Sequence, residues 1–359
     1  MHKKLFIPGP TEVSHDVLLA QAREPMFGHR MAEFSELYHR IVMGLQELFE
    51  TKSHAMVFTS SATGVMEGTL RNLVNETYLS TVNGAFSDRW FKIGAVNGKK
   101  GDRIDVEWGK AVKPEMVADA LKKKHYEAVL VTYNETSTGV MNPLKEIAAV
   151  VREVSPDTLV LADAVSALGG APVEIDEWGV DVIFASVQKC FALPPGLTVT
   201  FVSERAIEKA KKVENRGYYF DFLLMLKYWE ERNFQTPATP AISLMWALDH
   251  QIQKMKAETM EKRYARHAEM ASIARKWAID RGFELFAEPG YESLTVTTVK
   301  NTREIDVPAL NKELAVRGFA ISNGYGKLKN KTFRIGHMGD LTVGDLKSLL
   351  ANIDEIIGD

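Results

Sequence analysis

The sequence predicts an α/β fold in which helices cover a mostly parallel sheet. Four short segments are almost continuously apolar, and they comprise residues 127–133, 158–163, 180–186 and 197–203. Strands of this composition are buried on both faces, as they are in parallel sheets. Residues 143–154, between the first two segments, carry apolar side chains at helical spacing. Strands that alternate with helices are typical of a sheet with helices on both sides.

The N-terminal half contributes further elements to this fold. Residues 35–50 show helical apolar spacing at Leu37, Ile41, Leu45 and Leu48. The short strand MVF is followed by the hydroxyl-rich turn TSSATG, and a helix is predicted over residues 63–74. This strand–turn–helix unit therefore precedes the apolar segments of the central sheet.

A second, smaller α+β domain is predicted from the C-terminal third. Residues 244–282 form a long charged stretch, which we interpret as one helix joining two bodies. The segments that follow read in turn as strand, helix, strand, strand and helix, over residues 294–300, 307–317, 319–322, 332–336 and 342–357. We therefore predict a large domain over 16–243 and a small domain over 244–359.

The composition limits the classes of partner and compartment. The chain has 359 residues, a net charge of -3 and interspersed charges of both signs, so we expect no nucleic-acid or membrane partner. Its single cysteine, Cys190, allows no intrachain disulfide, which fits a reducing compartment. No apolar run is long enough to span a bilayer, and the start MHKKLFIPGPTEV is too short in its apolar part for a signal peptide. A cytoplasmic location is the expectation.

Two residues whose side chains could take part in catalysis lie at or just after the ends of apolar strands. Asp163 ends TLVLAD, and it either caps the next helix or holds a cationic ring nitrogen. Lys189 follows VDVIFAS, and it is either solvated or, in a desolvated cleft with a lowered pKa, attacks an aldehyde to form a Schiff base. Ligands of such sheets bind at the carboxyl ends of the strands, so the pairing of the two residues favours the chemical alternatives.

Other polar groups fall at the same edge. Residues 61–63 either cap a helix or cradle a phosphate with hydroxyls and free N–H groups. Residues 134–139 form a polar turn at the ligand-binding edge. Arg334 lies in an apolar strand, where it pairs either with an internal Asp or Glu or with a substrate carboxylate. Neither a G-x-G-x-x-G after the first strand nor a P-loop motif occurs, which disfavours dinucleotide and P-loop sites.

The order of these motifs along the chain resembles the class V aminotransferases of pyridoxal 5′-phosphate (PLP) fold type I, and in particular the alanine–glyoxylate, serine–glyoxylate and serine–pyruvate group. The resemblance runs from Pro8-Gly9-Pro10 to the last strand. The motifs are Ser61-Ala62-Thr63, Asn83-Gly84-Ala85-Phe86, Glu135-Thr136-Ser137-Thr138-Gly139, Asp163-Ala164-Val165-Ser166, Gln188-Lys189, Pro194-Pro195-Gly196, Thr236-Pro237-Ala238-Thr239-Pro240 and Phe333-Arg334-Ile335-Gly336.

The resemblance implies a role for each matching residue. Lys189 forms the Schiff base with PLP, and Asp163 keeps the ring nitrogen protonated. The ring faces contact Phe86 and Val165, and Ser137 binds the ring hydroxyl. The residues implied to bind the cofactor phosphate are Ser61, Ala62, Thr63 and Gln188 of the same subunit and Gln235 and Thr236 of its neighbour, with Thr239 as a substitute. Relatives usually carry Trp at the position of Phe86 and Gly at that of Ala62.

The implied activity is a ping-pong transamination in a homodimer. Arg334 binds the α-carboxylate, residues 1–15 approach the site with Gly9 among them, and the donor is serine or alanine, with pyruvate or glyoxylate as acceptor. The alternative donor is phosphoserine, since His29-Arg30 resembles a pair that grips a substrate phosphate; the same pair also suits a dimer interface. A cysteine desulfurase needs a mobile cysteine in a loop far downstream of the lysine. The single cysteine, Cys190, lies beside Lys189, which disfavours desulfurase chemistry. A non-catalytic scaffold would require that Lys189 bind no PLP.

Overall fold

The computed structural model of the chain describes residues 2–23 and 26–358. The strands are β1 Lys4–Phe6, β2 His54–Phe58, β3 Thr77–Val82, β4 Lys100–Asp105, β5 Ala128–Thr132, β6 Asn134–Glu135, β7 Val140–Met141, β8 Leu159–Asp163, β9 Val182–Ser186, β10 Thr198–Val202, β11 Glu284–Leu285, β12 Val296–Lys300, β13 Phe319–Asn323 and β14 Thr332–Gly336. The α-helices are α1 His15–Ala20, α2 Ala32–Leu48, α3 Ala62–Leu73, α4 Ala85–Val96, α5 Pro114–Lys123, α6 Leu144–Val154, α7 Glu204–Ala210, α8 Phe222–Arg232, α9 Ile242–Glu258, α10 Met260–Asp280, α11 Val307–Val316 and α12 Val343–Ile357. None of the described helices combines the length and apolar character needed to cross a membrane.

A seven-stranded sheet with the strand order β2-β10-β9-β8-β5-β3-β4 forms the centre of the molecule. Strand β10 runs antiparallel to both of its neighbours, and the remaining pairs are parallel. Every residue of β5, β8, β9 and β10 is buried, as expected of strands covered on both faces. The prediction of an α/β fold with a mostly parallel sheet is confirmed.

A second sheet, in the order β1-β13-β14-β12-β11, forms the smaller α+β unit. Helices α10, α11 and α12 cover it and share one apolar core with its strands, in which Phe333 and Ile335 meet Leu346 and Leu349. Strand β1 pairs in parallel with β13, so the N-terminal segment completes this sheet. The chain therefore leaves the small unit after its first strand and returns to it only after the large sheet is finished.

The prediction of one continuous helix over residues 244–282 is wrong. The chain forms two helices, α9 and α10, and Thr259 between them has φ 68, outside the helical region. The Thr259 hydroxyl caps α10 by accepting a hydrogen bond from the N–H of Lys262. Buried side chains of α9 such as Ile252 belong to the large core, whereas Met270 of α10 belongs to the small one. The break at Thr259 lets each helix pack against its own core. The predicted domain limits, 16–243 and 244–359, remain a prediction.

Helices α2 and α9 approach closely at Gly44. A Cβ atom added there would lie 2.7 Å from Cγ2 of Ile252, so we expect Gly44→Ala to destabilise the protein by about 1–2 kcal/mol through overpacking. Helix propensity alone would favour alanine by about 1 kcal/mol. The matched control is Gly344→Ala in α12, where the nearest atom would be 3.8 Å away. Urea unfolding monitored by circular dichroism measures both; equal stabilisation of the two variants would contradict the packing argument.

Candidate active site

Asp163 and Lys189 meet at one edge of the large sheet. Strands β8 and β9 are parallel neighbours, with Asp163 opposite Phe184, and Lys189 lies in the turn three residues after β9 ends. Asp163 is 2% exposed, and its Oδ1 accepts a hydrogen bond of 2.9 Å from the N–H of Val165. The predicted neighbourhood of the acid and the lysine at adjacent strand ends is therefore present in the fold.

The N-terminal segment closes over Lys189. The Nζ atom of Lys189 donates a hydrogen bond to the carbonyl oxygen of Pro8, and the hydroxyl of Thr11 donates one of 3.0 Å to the carbonyl oxygen of Lys189. Gly9 has φ 111, and a Cβ atom there would lie 2.6–2.7 Å from the end of the lysine side chain. Only glycine therefore allows this segment to pass so close to the amine.

Burial changes the acidity of both groups. It raises the pKa of Asp163 to about 7, an effect that the nearby Glu135 reinforces and the positive charge of Lys189 opposes. It also lowers the pKa of Lys189 to about 8, and the positive charge of Arg334 acts in the same direction. A buried acid of this kind suits a cationic partner, and an amine with a lowered pKa is partly a free nucleophile at neutral pH. Asp163 therefore suits a protonated pyridine nitrogen, and Lys189 suits an aldehyde.

The first turn of α3 leaves groups open to an anion. Its N-cap, Ser61, makes no side-chain capping bond, and both Ser61 and Thr63 are exposed. The N–H of Ala62, however, donates to the hydroxyl of Ser186 at 2.7 Å, so this predicted phosphate donor already has a partner within the chain. In the described parts of the chain, Oε1 of Gln188 is buried without a hydrogen-bond partner, which leaves it available to a ligand.

Glu135 holds two predicted cofactor-binding residues, Phe86 and Ser137, in place. Its carboxylate is fully buried and accepts hydrogen bonds from the N–H groups of Phe86 and Ser87, at 3.1 and 2.9 Å, and from the hydroxyl of Ser137 at 2.6 Å. Phe86 and Ser87 belong to the first turn of α4, where the helix dipole favours a negative charge. The sequence placed Glu135 in a motif but assigned it no role.

Arg334 is a nearly buried cation whose described partners are carbonyl groups. It is 7% exposed, and its Nε and one terminal nitrogen each donate a hydrogen bond of 3.2 Å, to the carbonyl oxygens of Asn323 and Thr136. Within residues 2–23 and 26–358 Arg334 forms no ion pair with a carboxylate, so the internal salt bridge that was the alternative does not occur among them. Burial lowers the pKa of Arg334 to about 10, and an incoming carboxylate would offset that cost.

The remaining predicted residues form a separate cluster. Arg30 donates hydrogen bonds of 2.6 and 3.3 Å to the carbonyl oxygens of Thr236 and Pro237, and the side chain of Gln235 donates one of 3.1 Å to the carbonyl oxygen of Arg30. Thr239 is exposed beside them. His29 is half-buried, and burial and the charge of Arg30 lower its pKa. Arg30 therefore joins the loop at residues 235–237, and the role of these residues toward a second subunit stays a prediction.

Sequence reasoning missed two residues beside Phe86. The side chain of Arg89 lies 5.0 Å from the centre of the Phe86 ring and donates a hydrogen bond of 3.2 Å to the hydroxyl of Tyr325. The Tyr325 ring lies 5.4 Å from that of Phe86 and 5.5 Å from the guanidinium carbon of Arg334. A cation three residues after Phe86 on one helix is a detectable signal, whereas nothing local marks Tyr325.

Residues 13–327 match the sequence model of a family described as aminotransferase class-V. This chain belongs to that family. An uncharacterized aminotransferase of Methanocaldococcus jannaschii is 38% identical over 98% of this chain and 92% of its own length. The serine–glyoxylate aminotransferase of Hyphomicrobium methylovorum is 34% identical over 94% of this chain and 85% of its own. A crystal structure of alanine–glyoxylate aminotransferase from Nostoc superposes with a TM-score of 0.93 and 28% identity, covering 99% of this chain and 96% of that one.

Membership of the family makes this class V aminotransferase a PLP enzyme of fold type I. The residues around Lys189 fit the cofactor on structural grounds as well, because a buried acid, an amine of lowered pKa and an open helix terminus converge there. When bound, PLP supplies the aldehyde that reacts with amines and a ring that accepts negative charge. The individual cofactor contacts remain predictions for the residues named above.

Asp163→Asn should change how the stability of the PLP-free protein depends on pH. The pKa of Asp163 rises from 3.8 to about 7 on folding, so between these values the folded state holds a proton that the unfolded state has released. Stability therefore falls as pH rises through this window, and the asparagine variant lacks that decline. The melting temperatures of both apoproteins at pH 4 to 8 measure this pH dependence. If the melting temperatures of the two proteins changed with pH in the same way, the pKa assignment would be refuted.

Glu135→Gln should weaken PLP binding roughly tenfold, because an amide cannot accept hydrogen bonds at both of its ends and leaves buried donors unpaired. The matched control is Glu146→Gln at an exposed position of α6. Titration of each apoprotein with PLP, followed by absorbance, gives the dissociation constants. An unchanged constant in Glu135→Gln would show that this carboxylate does not position the cofactor loops.

Proposed function

We propose that this aminotransferase moves the amino group of serine or alanine to glyoxylate or pyruvate by a ping-pong mechanism. The observation that carries the proposal is the buried guanidinium of Arg334, which has carbonyl partners but no carboxylate partner in the described chain. A planar guanidinium binds a carboxylate through two parallel hydrogen bonds, which suits the α-carboxylate of an amino acid. The serine–glyoxylate and alanine–glyoxylate activities of the relatives support the choice of substrates.

The residues of this chain have separate tasks in such a reaction. Arg334 fixes the carboxylate of the donor and thereby orients its Cα. Bound PLP supplies the electron sink that makes the Cα proton acidic. The amine of Lys189, whose pKa burial lowers to about 8, takes that proton as general base and later returns it. Asp163 stabilises the positive charge at the ring nitrogen, because its buried carboxylate gains a cationic partner there.

Phosphoserine is the weaker alternative. It would require Arg30 to reach a substrate phosphate, and in this chain Arg30 instead donates to the carbonyl oxygens of Thr236 and Pro237. Desulfurase chemistry is disfavoured because Cys190 is fully buried, which raises the pKa of its thiol to about 12. A buried neutral thiol does not act as a nucleophile.

We further propose that the enzyme is a cytoplasmic homodimer. The loop at residues 235–239 lies against Arg30 and not at Lys189 in its own described contacts, which suits a loop that completes the site of a second subunit. Exposed apolar side chains at Tyr218 and Tyr219, 66% and 45% exposed, lie around the same small cavity as Thr236 and Thr239. Such exposed aromatic side chains favour a protein interface.

Lys189→Ala should abolish transamination and the bond to the cofactor that borohydride reduction traps. The amine is the only group of that residue that reacts with an aldehyde, so its loss removes both. Lys145→Ala, at an exposed lysine of α6, is the control and should keep both properties. Peptide mass spectrometry after reduction locates the modified residue, and trapping in the Lys189→Ala protein would refute the assignment.

Single-turnover bleaching of the yellow enzyme ranks the donors directly. We expect rapid bleaching with L-serine and L-alanine and slow bleaching with L-phosphoserine. A response to phosphoserine alone that disappears in Arg30→Ala would overturn the proposed substrates and favour the phosphate-binding role of His29 and Arg30.

A further inference from the structure

Arg89 is a cation beside Phe86 that has no anionic partner among the described residues. It lies in α4, is half-buried, and donates its described hydrogen bond to the neutral hydroxyl of Tyr325 at 3.2 Å. No ion pair joins Arg89 to a carboxylate in the two described ranges, although its helix neighbours Asp88 and Lys92 pair with each other. A partly desolvated guanidinium without a counter-charge is costly unless a ligand provides one.

Arg89 and Arg334 both contact Tyr325, one at its hydroxyl and the other at its ring. The Arg334 guanidinium carbon lies 5.5 Å from the Tyr325 ring centre, and the hydroxyl of that ring accepts from Arg89. These contacts hold the two guanidinium groups at most about 13 Å apart, given the size of a phenol ring. A four-carbon dicarboxylate with hydrogen bonds of roughly 2.8 Å at each end is compatible with that upper limit.

The charge of Arg89 also reaches the reacting groups. It contributes to the lowering of the pKa of Lys189, after burial and Arg334, and it opposes the burial-driven rise in the pKa of Asp163. Its guanidinium lies 5.0 Å from the ring centre of Phe86, the residue predicted to contact the cofactor ring. Arg89 therefore belongs to the active site and not to the outer surface of α4.

We propose that Arg89, held by the hydroxyl of Tyr325, forms a second anion subsite that binds the distal carboxylate of a dicarboxylic amino acid such as aspartate. The proposal rests on the proposed aminotransferase function and extends its substrates from small neutral donors to acidic ones. Arg334 takes the α-carboxylate and Arg89 the distal one. With serine or alanine bound, Arg89 keeps its contact with Tyr325.

A carboxylate suits this subsite better than a phosphate. One guanidinium and one phenol hydroxyl supply a single positive charge, which matches a monoanion. A phosphate monoester carries about two negative charges near neutral pH and draws on more cations than these. The subsite therefore favours aspartate over phosphoserine as its acidic donor.

A purely structural role for Arg89 predicts a different kinetic pattern. If Arg89 only supported the Phe86 ring, its removal would slow every donor to the same extent. If it binds the distal carboxylate, its removal lowers the ratio of kcat/KM for aspartate to that for alanine. The ratio separates the two roles because alanine has no group that can reach the subsite.

The kinetic test compares PLP-loaded wild type, Arg89→Gln and the control Lys92→Gln. Lys92 is an exposed cation one turn further along α4, so its variant removes an equal charge from the same helix. We expect the aspartate-to-alanine ratio of kcat/KM to fall at least about tenfold in Arg89→Gln and to stay at the wild-type value in Lys92→Gln. An unchanged ratio in Arg89→Gln would overturn the proposal.

Binding of non-reacting acids provides a second readout. We expect succinate to bind the wild-type holoenzyme more tightly than propionate, as measured by isothermal titration calorimetry, and Arg89→Gln to remove that preference. Equal affinities in the wild type would overturn the proposal, and so would a larger effect of Arg89→Gln on phosphoserine than on succinate. If succinate is preferred through Arg89 but no donor bleaches the enzyme, the proposed function fails while the subsite stands.

Discussion

The active site depends on the parallel pairing of β8 with β9. Because parallel neighbours end at the same edge of a sheet, Asp163 at the end of one strand and Lys189 just after the other come together without any local sequence contact. The same burial that makes both strands apolar desolvates the two groups and shifts their pKa values toward neutrality. Fold and chemistry thus have one physical cause here.

The second unit completes the site by adding charge from outside the large sheet. Strand β14 carries Arg334 to the carbonyl oxygen of Thr136. The N-terminal segment pairs with β13 through β1 and then passes Gly9 over the amine of Lys189. Both contacts join the two units across the cleft. The small sheet therefore contributes to the candidate site, and a change in its orientation would move Arg334 relative to Lys189.

Several ionic groups of the site are satisfied by neutral dipoles and not by opposite charges. Glu135 accepts from backbone N–H groups and serine hydroxyls, and Arg334 donates to backbone carbonyl oxygens. Arg89 does the same with the hydroxyl of Tyr325. Dipoles hold these charges in place but do not neutralise them, so the cations stay available to anionic ligands. Ionisable groups with shifted pKa values that lie close together are typical of enzyme active sites. Burying their charges lowers the stability of the folded protein.

The sequence by itself determined the central sheet and its reactive pair. Continuous apolar runs identify β5, β8 and β9, because only strands buried on both faces need them, and the strand ends then locate Asp163 and Lys189. The polar edge strand β4 lacks this signal because four of its six residues are exposed. The break at Thr259 has no local signal either, because it follows from two cores and not from local propensity. Only tertiary structure decided that Arg334 and Arg89 have no carboxylate partner among the described residues, because that depends on every segment packed around each group.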